Sequence, residues 1–141
     1  MDISYSQTDL SGMFLPVGEM LQVKRISMVS NGTIVGEQPL TKEDWIFPLH
    51  FPDDPIFPGS LLIEGAGQLI AIWGWHNGLR GKPRLVKVSA EFKSPVTAAD
   101  RLIIYKGTMT KRQNICMGTV EISVTSRLVG TVIGSLVVLQ S

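Results

Sequence analysis

The chain has 141 residues, of which 44% are hydrophobic and 18% charged, and its formal net charge is +1. That length and apolar share are enough for one domain with a real core, residues 1–141, and exclude a disordered chain. The near-zero charge excludes a global bias toward nucleic acid or a membrane surface, so any basic recognition surface must be local.

From the N-terminus, MDISYSQTDLSG lacks the basic and then apolar layout of a signal peptide. No apolar run approaches the roughly 18 residues needed to span a bilayer, and a soluble cytoplasmic protein is expected. Residues 20–30 and 33–38 read as two strands around Asn31-Gly32, a strong signal for a tight hairpin. Residues 46–58 carry Pro48, Pro52, Pro55 and Pro58, which exclude regular structure and make a stiff loop. Pro58 stands where helices begin, and Asn77-Gly78 supplies a stop, so a helix is expected from Gly59 to about His76. Its interior glycines, Gly65, Gly67 and Gly74, each cost about 1 kcal/mol relative to alanine. Either a closely packed sheet or a ligand chain must need the missing side chains.

After Gly81-Lys82-Pro83 the period changes from about 3.6 to 2. Residues 84–93, 101–110, 115–126 and 128–139 read as four strands, which implies antiparallel pairing. The last is apolar on both faces from residue 131, which points to burial by a partner chain. Two strands, one helix apolar nearly all round, and four strands predict an α+β fold, an antiparallel sheet wrapped around one long central helix. Cys116 is the only cysteine and reads as a small strand residue; with no CxxC motif or His/Cys cluster, no metal site is expected.

Between Gly59 and Trp75 the only polar side chains besides the indoles are Ser60, Glu64 and Gln68, spaced i, i+4, i+8 along one line of the helix. A lone buried carboxylate is costly, so Glu64 either reaches solvent or an arginine, or it finds hydrogen bonds or stays protonated, which suits acid chemistry. His50, just before the helix, adds a candidate base. Gln68 either orients Glu64 or is satisfied by core backbone. Ser60 reads as a helix-start residue, and His76 as a cap for terminal carbonyls. Trp45, Phe47, Phe57, Trp73 and Trp75 are core or channel aromatics, with Phe57 the one beside the supposed site.

His50, Phe51, Pro55, Pro58, Gly59 and Glu64 stand in the register H-F-x-G-x-P-x-x-P-G with an acid fourteen residues after the histidine. In this the chain resembles the hot-dog-fold 3-hydroxyacyl thioester dehydratases of bacterial fatty acid synthesis. Gln68 falls where that family has glutamine, and the resemblance extends from LPVGEMLQVKRI to VIGSLVVL. KRQNICMGTVEISV is similar to the branch that also isomerises the enoyl product, whereas Glu64 matches the simple dehydratase branch, the other carrying Asp there. Asp53 departs from the glycine usual at its position.

The resemblance implies dehydration of 3-hydroxyacyl thioesters to trans-2-enoyl thioesters in fatty acid or polyketide-like biosynthesis, with no cofactor. His50 would take the C2 proton. Glu64, kept protonated by apolar surroundings, would protonate the departing hydroxyl, and the Gly59 N–H would polarise the thioester carbonyl. Gln68 would support the acid and Phe57 would line the substrate channel. The acyl group would arrive on an acyl carrier protein or on coenzyme A, with Lys82, Arg84, Lys87, Lys111 and Arg112 as candidates for a basic rim. Histidine and acid would face each other across a homodimer, or a higher oligomer of dimers. The alternatives are a hot-dog acyl thioesterase, in which Glu64 activates water, and a non-catalytic acyl-binding or dimerising subunit.

Overall fold

The alternating runs become long strands because each has one face to bury, and the surface they share is a single helix. In the computed structural model, which describes residues 3–140, the order is β1 (Ile3–Tyr5), α1 (Gln7–Leu10), β2 (Arg25–Val29), β3 (Thr33–Pro39), α2 (Gly59–His76), β4 (Lys82–Phe92), β5 (Leu102–Arg112), β6 (Ile115–Val124) and β7 (Arg127–Leu139). The strands form one antiparallel sheet in the order β1-β2-β3-β5-β6-β7-β4. Helix α2 lies against β3 to β7. This is the expected α+β hot-dog architecture.

The helix seats closely because the sheet leaves room for it. Virtual Cβ atoms at Gly36 and Gly107 would meet Leu69, and those at Gly118 and Gly134 would meet Ile70. Leu69, Ile70, Ile72 and Trp73 are fully buried there, and the Trp73 indole donates to Ser30 O at 3.1 Å. The helix stops as its sequence requires. Gly78 has φ +100°, and Leu79 N–H returns to Gly74 O at 2.8 Å while Gly78 N–H reaches Trp75 O, which closes the last carbonyls in the manner of a Schellman motif.

Several elements depart from the sequence expectations. Strand β1 and α1 were not expected. The first expected strand, residues 20–30, meets β3 only from Lys24 onward, because the N–H groups of Gln22 and Val23 are taken by the Gln68 side chain instead of a neighbouring strand. The proline-rich loop contains a 3₁₀ turn, Phe47–Leu49, with Pro48 in its first positions, where the missing N–H costs nothing. His76 does not cap the helix; its Nδ1 pairs with the Tyr5 hydroxyl at 2.7 Å, and the Asn77 amide covers Trp73 O. Strand β7, as expected, is apolar on both faces: Val132, Leu136 and Val138 turn to the core and Ile133 is exposed on the other face.

The edge strand β4 pairs with β7 on one side only. Leu85 and Val88 stand opposite core-facing Leu136 and Gly134, yet both are exposed, as are Val86 and Phe92. The apolar face of the sheet therefore extends past the cover that α2 provides.

Candidate active site

Glu64 sits one turn into α2, half-buried, on the wall of a cavity of about 610 Å³. Ile63, Gly67 and Ala71 of the same helix line the cavity with Phe14, Leu15 and Pro16, and the ends of β4 and β7 close it through Pro83, Leu85 and Leu136. The polar groups on its wall include Ser60, Glu64, Gln68, Lys82 and Arg84. Such a chamber, apolar with a few convergent polar groups, suits a chain with a polar head.

Glu64 is not the isolated carboxylate that the apolar helix implied. Gln68, one turn on, donates from Nε2 to Glu64 Oε2 at 2.9 Å and to Met20 O at 2.8 Å. Its Oε1 accepts from Gln22 N–H at 2.7 Å and Val23 N–H at 3.3 Å. Gln68 is thus bound both to the Glu64 carboxyl and to core backbone.

His50 ends the Phe47–Leu49 turn and is half-buried. The loop that carries it is closed by its own backbone: Phe51 and Asp54 exchange N–H···O bonds, Ile56 N–H donates to His50 O at 2.9 Å, and Phe57 N–H anchors the loop to Val96 O at 2.7 Å. His50 Nδ1 lies 3.3 Å from Ile56 O. A carbonyl can only accept, so Nδ1 is the donor in that contact, and in the neutral ring the lone pair lies on Nε2. The ring stacks on Phe51, with centroids 4.2 Å apart.

Gly59 opens α2 directly after Pro58, ahead of the first return bonds, which Leu61 and Leu62 make to Pro58 O. Its N–H is therefore among the groups a helix leaves without an internal partner. Phe57 is buried edge-to-face against Phe47, 6.2 Å between centroids, and lines two smaller hollows. Glu64 and Gln68 share the large cavity, while His50, Gly59 and Phe57 are not among its lining residues.

Of the basic candidates, Lys82 and Arg84 stand on the cavity wall, whereas Lys111 is occupied by the helix end, donating to Asn77 O. Sequence reading missed Gln22, Gln38 and Tyr105, a buried polar group behind Gln68. The available signal was Gln38 itself, at an inward position of a strand whose other inward residues are Ile34 and Gly36. Among the described residues no group of three or more His, Cys, Asp or Glu could hold a metal ion, and no helix is long and apolar enough to cross a membrane.

Solved structures share this fold at low identity. The Dehydratase Heterocomplex ApeI:P from Xenorhabdus doucetiae matches with a TM-score of 0.73 and 17% identity over 92% of this chain and 90% of that one. A mutant of the thioesterase enzyme SAV0944 from Staphylococcus aureus matches at 0.65 and 13%, over 80% and 90% of the two chains. TT0310 protein from Thermus thermophilus gives 0.65 and 16%, over 86% and 95%. The FabA-like domain family matches residues 15–132, and by that match across most of its length the chain belongs to the FabA-like domain family.

Proposed function

We propose that this chain dehydrates 3-hydroxyacyl thioesters, carried on an acyl carrier protein or on coenzyme A, to trans-2-enoyl thioesters, as a homodimer in which His50 of one protomer works opposite Glu64 of the other. The observation that carries this reading is the setting of His50: a closed loop ties Nδ1 to Ile56 O, so that in the neutral ring Nε2 carries the lone pair that would act as the base. Hydrolysis driven by Glu64 alone has no need of such a residue.

In the reaction, His50 Nε2 removes the C2 proton, the electron pair forms the C2–C3 double bond, and the C3–O bond breaks. Glu64 protonates the departing oxygen, which leaves as water. The Gly59 N–H, at the positive end of α2, donates to the thioester oxygen and stabilises the negative charge that builds there. Proton exchange with solvent restores both groups.

Two features support the dimer. The Glu64 cavity is walled by Lys82, Pro83, Arg84 and Leu85 of the open edge strand, and the exposed Leu85, Val88 and Phe92, opposite buried residues of β7, continue the core face along that edge. A second copy pairing there would bury them and bring a second histidine loop toward the cavity mouth. Lys82 and Arg84 would meet the phosphate of a pantetheine arm.

The thioesterase reading is favoured by the likeness to a solved thioesterase enzyme. Incubation with a 3-hydroxyacyl thioester separates the readings. Conjugated enoyl absorbance without free thiol supports dehydration, and thiol without enoyl identifies hydrolysis. Neither product, with the ligand bound, identifies a non-catalytic subunit.

A further inference from the structure

Behind Glu64 runs a chain of hydrogen bonds from the Tyr105 hydroxyl to the Glu64 carboxyl, each link donating toward Glu64, with side branches to the carbonyls of Glu19 and Met20. The Tyr105 hydroxyl donates to Gln38 Oε1 at 2.7 Å, and Gln38 Nε2 donates to Gln22 Oε1 at 2.9 Å. Gln22 Nε2 holds Glu19 O and Met20 O at 3.0 and 3.1 Å. The backbone N–H groups of Gln22 and Val23 donate to Gln68 Oε1, and Gln68 Nε2 donates to Glu64 Oε2. Gln22, Gln38 and Gln68 are 2%, 5% and 3% exposed and Tyr105 is fully buried, so water does not compete for these contacts.

The polarity is fixed by groups that cannot reverse. Carbonyls of Glu19 and Met20 only accept, which sets Gln22 Nε2 toward them and its Oε1 toward Gln38. That in turn sets Gln38 Nε2 toward Gln22 and Gln38 Oε1 toward the phenol. Burial pushes the Tyr105 phenol above its ordinary range, so it remains a donor. At the other end two N–H groups and the Met20 carbonyl permit one orientation of the Gln68 amide. Flipped, it would accept from Glu64 and hold the acid's proton.

We propose that Gln22, Gln38 and Tyr105 are positioning residues of the acid site: they hold the Glu19–Val23 segment so that Gln68 can only donate to Glu64 Oε2, which reserves Oε1 for the proton that Glu64 delivers. Amides do not relay protons here; the chain sets an orientation. The missing side chain of Gly65 serves the same device, since a Cβ there would lie 2.6 Å from Tyr105 Cζ. This inference rests on the reading of Glu64 as the acid, and its test has a readout independent of turnover.

Gln22→Met and Gln38→Met keep volume and remove the amide, and Tyr105→Phe deletes one hydroxyl as the mildest variant should either fail to fold. Gly74→Ala, which crowds Cys116 away from the chain, is the structural control. At a temperature where all are folded, the two amide variants should lower kcat about tenfold with KM within about twofold, the signature of a misaligned acid. Tyr105→Phe should give a smaller change of the same kind. In nitrogen-15 spectra the Gln68 side-chain amide should be protected from solvent exchange in the parent protein and exchange at least about tenfold faster in Gln22→Met and Gln38→Met. Gly74→Ala should leave both readouts unchanged. Amide variants that match Gly74→Ala in kcat and in Gln68 exchange would overturn the proposal. A parent protein that dehydrates nothing, while the exchange results follow the expectation, would remove the dehydratase reading and leave the orientation lock standing.

Discussion

Gly65 and Gly67 lie two residues apart in one helix, and the structure gives their substitution by alanine opposite signs. Replacing a helix-interior glycine with alanine favours the folded helix by about 1 kcal/mol. At Gly67 nothing lies within 4 Å of the new Cβ, so Gly67→Ala should keep most of that gain. At Gly65 the Cβ would sit 2.6 Å from Tyr105 Cζ and 2.8 Å from Cε1, and the ring is fully buried with its hydroxyl held by Gln38. It has nowhere to swing. Overpacking of that kind costs about 1–3 kcal/mol, and dragging the phenol off Gln38 adds about 1 kcal/mol. Gly65→Ala should therefore destabilise by about 1–3 kcal/mol, leaving the two variants about 2–4 kcal/mol apart. Urea denaturation, with the slope held in common, reads the difference directly; in thermal melts it corresponds to roughly 10 °C for a chain of this size. Tyr105→Phe added to Gly65→Ala should recover only part of the loss, because the ring carbons remain. Equal stabilities for Gly65→Ala and Gly67→Ala would refute the packing assigned to Tyr105.

His50→Ala and Glu64→Gln should each reduce dehydration by about 10²–10⁴-fold with an unchanged circular dichroism spectrum; wild-type rates in Glu64→Gln would remove the acid from the mechanism. Gly74→Ala, whose Cβ would lie 2.8 Å from Cys116 Sγ, should lose up to about 2 kcal/mol net in urea titrations, and Cys116→Ala in the same chain should restore most of it. Burial pushes the Cys116 thiol up, against the opposing charge of Lys111, so near neutral pH it stays a thiol; Ellman's reagent should label it far more slowly in the native protein than in urea. Val86→Glu with Val88→Glu, both on exposed positions of the open edge strand, should shift sedimentation from dimer to monomer and abolish turnover; an active monomer would contradict the shared site.

The elements set by local chemistry were readable from the chain alone. Helix α2 runs from Gly59 to His76, as Pro58 and Asn77-Gly78 indicated, because a stop signal acts on the turn beside it. Asn31-Gly32 joins β2 and β3 for the same reason, and the alternation of Val, Ile and Thr marked β4 to β7. The register of His50, Pro58, Gly59 and Glu64 singled out the candidate site. The glycines of α2 announced close packing without saying against what: Gly65 faces Tyr105, Gly74 faces Cys116 and Gly67 faces the cavity.

Tertiary structure decided what depends on partners far apart in the chain. Strand β4 crosses to the far edge and pairs with β7, an order that alternation cannot encode because every inward face is equally apolar. Gln68 looked like one polar residue on a polar line, and the partners that fix its amide are backbone groups more than forty positions away. His50 and Glu64, fourteen positions apart, do not line the same cavity of the chain. Periodicity fixes which face of an element turns inward, and only the closing of sheet over helix fixes which side chains then meet.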